Sequence, residues 1–138
     1  MKATAMRGLI LMAHGARDPN WSAPLEASAA RCRELLPGWQ VAMAYLEFMA
    51  PDLPGCGRTL VAQGCTEVDV LPLFLGAGGH VRKDLPLQVD TLRRAHPEVQ
   101  WRLHAAVGES PLVVEAMAQA ALAMTLDPTR LLPDDTTA

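Results

Sequence analysis

The chain has 138 residues, 50% of them hydrophobic and 4% aromatic, and twelve Lys and Arg against fifteen Asp and Glu give it a net charge of −3. That length buries about two thirds of the unfolded surface in one core, and the balanced charge and scarcity of rings exclude the basic stripe and stacking platforms of a nucleic-acid binder and the polybasic surface of a membrane binder. Cys32, Cys56 and Cys65 are odd in number and have no CxxC spacing, which argues against a disulfide framework or a structural zinc site and for reduced thiols.

The first residues, MKATAMRG, lead into an apolar stretch of only about six residues, too short for a signal-peptide core or a membrane span, so the expected location is the cytoplasm. The apolar run over 9–13 predicts a buried parallel strand that delivers the loop HGARDP from His14 to Pro19. A helix over 21–36 follows, with Leu25, Ala29, Cys32 and Leu36 on one face and Pro37-Gly38 as its stop. A second strand over 40–46 delivers Glu47. The segment PDLPGCG predicts a loop, then a short helix over 58–63 ended by Gly64.

A third strand over 68–75 carries the loop GAGGHVRKD from Gly76 to Asp84. Pro72 within it calls for a bulge or a place near the strand end, because proline gives no ladder hydrogen bond. A helix over 85–95 is predicted with Pro86 in its first turn, then a strand over 99–107. Ser110-Pro111 then opens a last helix that ends near Met124. The order βαβαβαβα predicts an α/β fold, a small four-stranded parallel sheet with helices on both faces. The expected organisation is one domain over 1–127 and a loose tail over 128–138.

Open α/β sheets gather ligands at the carboxyl ends of their strands, and both histidine loops emerge there. A neutral imidazole binds divalent metal or accepts a proton, so His14 and His80 are candidates for one site. Glu47, within AYLEF, is a carboxylate among apolar neighbours, either a solvated strand end or the third member of a His/His/Glu set. Gly15, Gly78 and Gly79 serve either backbone geometry or the close approach of a bulky ligand. Arg17, Arg82 and Lys83 suit a polyanionic small molecule, unless they are simply a solvated face. Asp18 and Asp84 either orient these groups or cap helices. His96 and His104 rank lower, at a helix end and on the polar side of the fourth strand. Glu67 and Asp69 read as a solvated strand start, and Trp21, Trp39 and Trp101 as packing residues, unless Trp21, close to the HGARDP loop, lines a flat apolar ligand.

HGARDPNW, LEFMAPDLP and LPLFLGAGGHVRKDLP, in that order and spacing, resemble the signatures of the sirohydrochlorin chelatase family, the CbiX and SirB group of class II chelatases, in its short single-domain form. The resemblance implies a flavodoxin-like chelatase half. It implies insertion of Co²⁺ or Fe²⁺ into sirohydrochlorin without a nucleotide, in siroheme or cobalamin biosynthesis. Ni²⁺ or Zn²⁺ are accepted by such ligands in vitro. It further implies that His14 and His80 bind metal and accept protons with help from Glu47. Arg17, Gly78, Gly79, Arg82 and Lys83 would then meet the macrocycle, and two copies would form a homodimer with facing crevices. Where many relatives read HGSRDP this chain has Ala16, and the histidine-rich stretch and iron-sulfur cysteine motif of some relatives are absent.

Two rivals stand beside this reading. LILMAHG superficially resembles the start of the histidine phosphatases, but their mechanism needs arginine immediately before the nucleophile, and Ala13 is there. A noncatalytic carrier of metal or tetrapyrrole would use the same His14, His80 and Glu47.

Overall fold

Four parallel strands, β1 (Met6–Ala13), β2 (Gln40–Tyr45), β3 (Cys65–Pro72) and β4 (Gln100–Leu103), form one sheet in the order β2-β1-β3-β4. The computed structural model describes residues 5–76, 78–127, 129 and 131–133, and for His80 the backbone alone. The predicted 128–138 tail falls largely outside the described residues. Helices α1 (Ala23–Leu35), α2 (Leu53–Ala62), α3 (Gly79–Ala95) and α4 (Pro111–Thr125) connect or follow the strands. The expected α/β architecture with a four-stranded parallel sheet and helices on both faces is present.

Alternation along the strands sorts their residues between two layers, broken once in β3, where a register shift opposite Met6 and Arg7 puts Cys65 in the layer of Val68 and Val70. Ile10, Met12, Ala44, Val68, Val70 and Trp101 pack beneath α2 and α3 with Leu53, Cys56, Leu60, Leu85, Val89 and Leu92. Leu9, Leu11, Ala13, Val41, Met43 and Tyr45 face the other way, toward Leu25, Ala29 and Cys32 of α1. The Tyr45 hydroxyl donates to Glu26 Oε1 at 2.7 Å, tying α1 to the end of β2.

Several element boundaries differ from the sequence expectation. Helix α2 begins at Leu53, within the segment expected to be a loop, because Asp52 caps it by accepting from Gly55 N at 2.9 Å and Pro54 fits its first turn. Gly57 belongs to packing: a Cβ there would stand 2.7 Å from Leu92 Cδ2, so its absence lets α2 approach α3. Helix α3 begins at Gly79, six residues before the expected start, so His80 to Asp84 are helical rather than a loop. Pro86 therefore lies inside the helix. The turn is already closed ahead of Pro86 by Arg82 N donating to the Gly78 carbonyl at 3.0 Å, and the proline was misread as a start signal.

Strand β3 starts and ends three residues early, and Pro72 is its last residue, where pairing to β4 has already ended at Val70. That placement matches the expectation for Pro72. Strand β4 is four residues long rather than nine.

The reading of Asp69 as solvated is overturned: it is buried, 6% exposed. Its carboxylate accepts from Arg7 Nη2 at 3.1 Å and lies 2.9 Å from His104 Nε2 and 3.2 Å from Arg102 Nε. Its position on the sheet face between two arginine-bearing strands, invisible to a local reading of the sequence, explains the burial. Glu67 joins the group through Arg7 and Arg102. Cys32, Cys56 and Cys65 are free thiols, as expected. Trp101 is buried, Trp39 lies under the Arg7 guanidinium at 4.2 Å, and Trp21 is exposed.

Candidate functional site

Parallel pairing continues past the last strand residues of β1 and β2, and this brings the first two candidate residues together. Leu46 N donates to the Ala13 carbonyl at 3.0 Å and Glu47 N to the His14 carbonyl at 3.1 Å. Gly15 makes the join possible. Its φ is +86°, a conformation that L side chains rarely adopt, and a Cβ would run into the Glu47 carbonyl oxygen. His14 and Glu47 are therefore set side by side by backbone, and both are exposed.

The first turns of α3 close the third side. Val81, Asp84 and Gln88, spaced along one helix face, line a cavity of about 420 Å³ with His14, Leu46 and Glu47. His80 stands in the same first turn of α3 as Val81; its side chain lies outside the described residues. Phe74, 3% exposed, packs against His14, their ring centroids 4.4 Å apart. The turn at 107–109 is tied to Phe74: Gly108 N donates to the Phe74 carbonyl at 2.9 Å.

The cationic candidates are spread out. The Arg17 guanidinium lies 4.9 Å above the Phe48 ring, next to Glu47. Arg82 lines a neighbouring hollow of about 360 Å³ with Pro72, Leu85, His104 and Glu109, on another face of α3. Lys83 is exposed. Asp18 caps the turn at Pro19–Ser22 by accepting from Asn20 N at 2.9 Å, whereas Asp84 lines the cavity and caps nothing.

Gly76, Gly78 and Gly79 have no positive φ, and among the described residues a Cβ at any of them would meet nothing within 4 Å. Among the described residues neither backbone conformation nor packing requires glycine here. What their missing side chains provide is open space at the mouth of the crevice. The sequence reading had not singled out Phe48, Leu75 or Gln88. Phe48 and Leu75 are large apolar side chains, 58% and 69% exposed. Phe48 directly follows Glu47 of the cavity lining and Leu75 follows Phe74, which touches His14, and that adjacency was the available signal.

Chemically, the arrangement offers an imidazole and a carboxylate open to solvent, an apolar rim, and no packed layer above them. Such a set binds a cation without enclosing it and leaves exchangeable positions. Among the described residues no group of three His, Cys, Asp or Glu converges closely enough to hold a metal ion. No helix is long and apolar enough to cross a membrane among those residues.

Comparison with known proteins gives the chain a family and a fold. The family model CbiX matches residues 8–123, which include both histidine loops and most of α4. The sirohydrochlorin cobaltochelatase of Methanococcus aeolicus is 28% identical over 81 residues, 59% of this chain and 57% of that protein. That of Methanocaldococcus jannaschii is 29% identical over 93 residues, 66% and 64%. The chain thus spans less than two thirds of the length of these curated relatives. Among solved structures, a putative cobalamin biosynthesis CbiX protein from Marinobacter aquaeolei superposes with a TM-score of 0.76 at 32% identity, covering 86% of this chain and 97% of that one. SirB from Bacillus subtilis in complex with cobalt gives 0.75 at 20% identity, covering 86% of this chain and 51% of SirB, a likeness of fold. With the family model covering most of its length, the chain belongs to the CbiX family.

Proposed function

We propose that this protein is a metal chelatase that inserts a divalent ion, Co²⁺ or Fe²⁺, into sirohydrochlorin without consuming a nucleotide. The observation that carries the reading is the single open cavity in which His14 and Glu47 are joined by backbone beside the first turn of α3, where His80 lies. Insertion exchanges one M²⁺ for two pyrrole N–H protons. The reaction therefore needs ligands that release a metal readily and bases that are neutral near pH 7. Histidine, with an ordinary pKa of about 6.5, meets both needs.

In this reading His14, Glu47 and His80 present the metal at the floor of the crevice. The macrocycle slides over the space left by Gly78 and Gly79 and rests on the apolar rim at Phe48 and Leu75. The ligands are exchanged for ring nitrogens as the two protons pass to His14 and His80, with Glu47 assisting. Arg17, Arg82 and Lys83 meet the carboxylates of sirohydrochlorin around the rim. The exposure of His14 and Glu47 fits a site that must give its metal up. The rest of the reading is a cytoplasmic homodimer with facing crevices, feeding siroheme or cobalamin synthesis, with Ni²⁺ or Zn²⁺ as surrogate ions in vitro.

Anaerobic spectrophotometry of sirohydrochlorin with Co²⁺ or Fe²⁺ tests the proposal, comparing no protein, the native chain, and a variant combining His14→Ala and His80→Ala. Many turnovers by the native chain, lost in the variant, are expected. A spectral change that stops at one equivalent would replace catalyst by carrier, and an unchanged rate in the variant would remove the two histidines from the mechanism.

A further inference from the structure

Most carboxylates among the described residues are engaged: Asp18 and Asp52 accept from backbone N–H groups, and Glu34, Glu67, Asp69 and Asp90 pair with arginines. Among those residues the side chains of Glu47, Asp84 and Glu109 make no hydrogen bond or ion pair. Two of these three, Glu47 and Asp84, line one cavity with His14.

The local sequence leaves Asp84 no structural task. It stands in the second turn of α3, past the first turn, where an acidic side chain caps a helix or meets its dipole. Arg82 and Lys83 are two positions and one position away, and residues so spaced do not face each other on a helix. Gln88, four positions on, lines the same cavity and makes no hydrogen bond to Asp84. Among the described residues His14, Glu47 and Asp84 do not converge closely enough to hold one ion together. The cavity of about 420 Å³ nevertheless has room for an ion with its water, since about six waters at roughly 30 Å³ each fill roughly 180 Å³.

We propose that Asp84 is the loading residue for the divalent ion: it draws the hydrated ion into the cavity and holds it through its water shell until His14 and Glu47 replace water and take it over. The inference deepens, and rests on, the chelatase reading. The carboxylates of Asp84 and Glu47 together balance the two positive charges of the ion, to which a neutral imidazole adds nothing. Position gives the route. Gly78 and Gly79, at the start of α3, leave the space over which the macrocycle slides, and Asp84 stands on the next turn. An ion that enters past Asp84 reaches His14 without crossing the macrocycle's path.

The first arm of the test is binding of Co²⁺ alone to the full chain, read by calorimetry without tetrapyrrole. Asp84→Asn keeps the shape and removes the charge, and it is expected to weaken Co²⁺ binding roughly tenfold, the effect of one carboxylate on a divalent ion about 6 Å away in water. Asp84→Glu, which restores the charge, is expected to recover most of the affinity. Asp90→Asn removes the same charge from the same helix outside the cavity, and it is expected to bind Co²⁺ as the native chain does. The second arm is metallation. Asp84→Asn is expected to raise the KM for Co²⁺ by a like factor, to leave the KM for sirohydrochlorin unchanged, and to regain its rate at saturating Co²⁺.

Equal Co²⁺ affinity in the native chain and Asp84→Asn, an equal loss in Asp90→Asn, or a native chain that binds no Co²⁺ would overturn the proposal. A rate that stays low at saturating Co²⁺, with an unchanged KM for the ion, would move Asp84 to a later step and overturn it as well. A native chain that holds Co²⁺ through Asp84 but never metallates sirohydrochlorin would remove the chelatase reading and leave the ion-holding role standing, so the two failures register in different measurements.

Discussion

The imidazole of His14 lies against the ring of Phe74, the two centroids 4.4 Å apart and the planes inclined by 34°. Phe74 is buried at the end of the segment that β3 sends toward α3, while His14 faces solvent at the end of β1. The segment leading into the second histidine loop thus touches the histidine of the first. An aromatic pair of this kind is worth about 0.5–1.5 kcal/mol beyond its buried area.

If that energy holds the imidazole in its working orientation, Phe74→Leu slows metallation roughly two- to tenfold. The smaller side chain lowers stability by roughly 1–2 kcal/mol. Steady-state rates read beside urea titrations separate the two effects. A native rate in a folded Phe74→Leu protein would show that the ring does not orient His14.

Gly15 and Gly78 give opposite expectations for the same substitution. Gly15→Ala places a Cβ against the Glu47 carbonyl at a φ of +86°, so it is expected to cost more than about 1 kcal/mol and to part His14 from Glu47. Gly78→Ala meets nothing within 4 Å and has a φ of −71°, so its melting temperature is expected to stay within a degree or two, by the roughly ±0.5 kcal/mol typical of surface changes. Its KM for the macrocycle should rise, because the added methyl group occupies the mouth of the crevice. Thermal melts with saturation kinetics check both. An unaltered KM in Gly78→Ala would remove this glycine from the macrocycle's path.

The strands were legible from the sequence because a buried parallel strand reads as a continuous apolar run, and the two histidine loops are where those runs stop. Helix starts were less legible. Asp52 and Gly78 each begin a helix inside a segment rich in glycine and proline, and local punctuation outweighed the cap in the first case and had no cap to show in the second. The nearness of His14 to Glu47 was implied by strand ends. The part of Asp84 and Gln88 in the same cavity was not, since it depends on α3 starting early enough to turn those residues toward β1 and β2. Burial of Asp69 was illegible for a related reason, because its arginine and histidine partners come from β1 and β4.

The cap of α2 offers a direct check of that lesson. Asp52 accepts from Gly55 N at 2.9 Å and is exposed. Asp52→Ala is expected to destabilise the protein by about 1 kcal/mol, within the usual range for a lost N-cap. In urea this appears as a lower midpoint with an unchanged slope. A midpoint equal to that of the native chain would mean that the first turn of α2 is held by packing of Leu53 and Cys56 alone.

Cys56 makes stability depend on alkaline pH. Burial, with a smaller contribution from the Asp52 carboxylate, pushes its thiol from 9.0 up to about 11. Below pH 9 the thiol is neutral in both the folded and the unfolded chain, and its burial favours the fold fully. Between about 9 and 11 the unfolded chain loses the proton while the folded one keeps it. Stability therefore falls as pH rises, by roughly 1.4 kcal/mol per pH unit and roughly 2–3 kcal/mol in all. Urea midpoints of the native chain and of Cys56→Ala at pH 8 and pH 10.5 isolate this contribution, since the other titrating groups are common to both. The difference between the two proteins should shrink at the higher pH. A difference that stays constant would mean that Cys56 ionises in the folded protein as readily as in the unfolded chain.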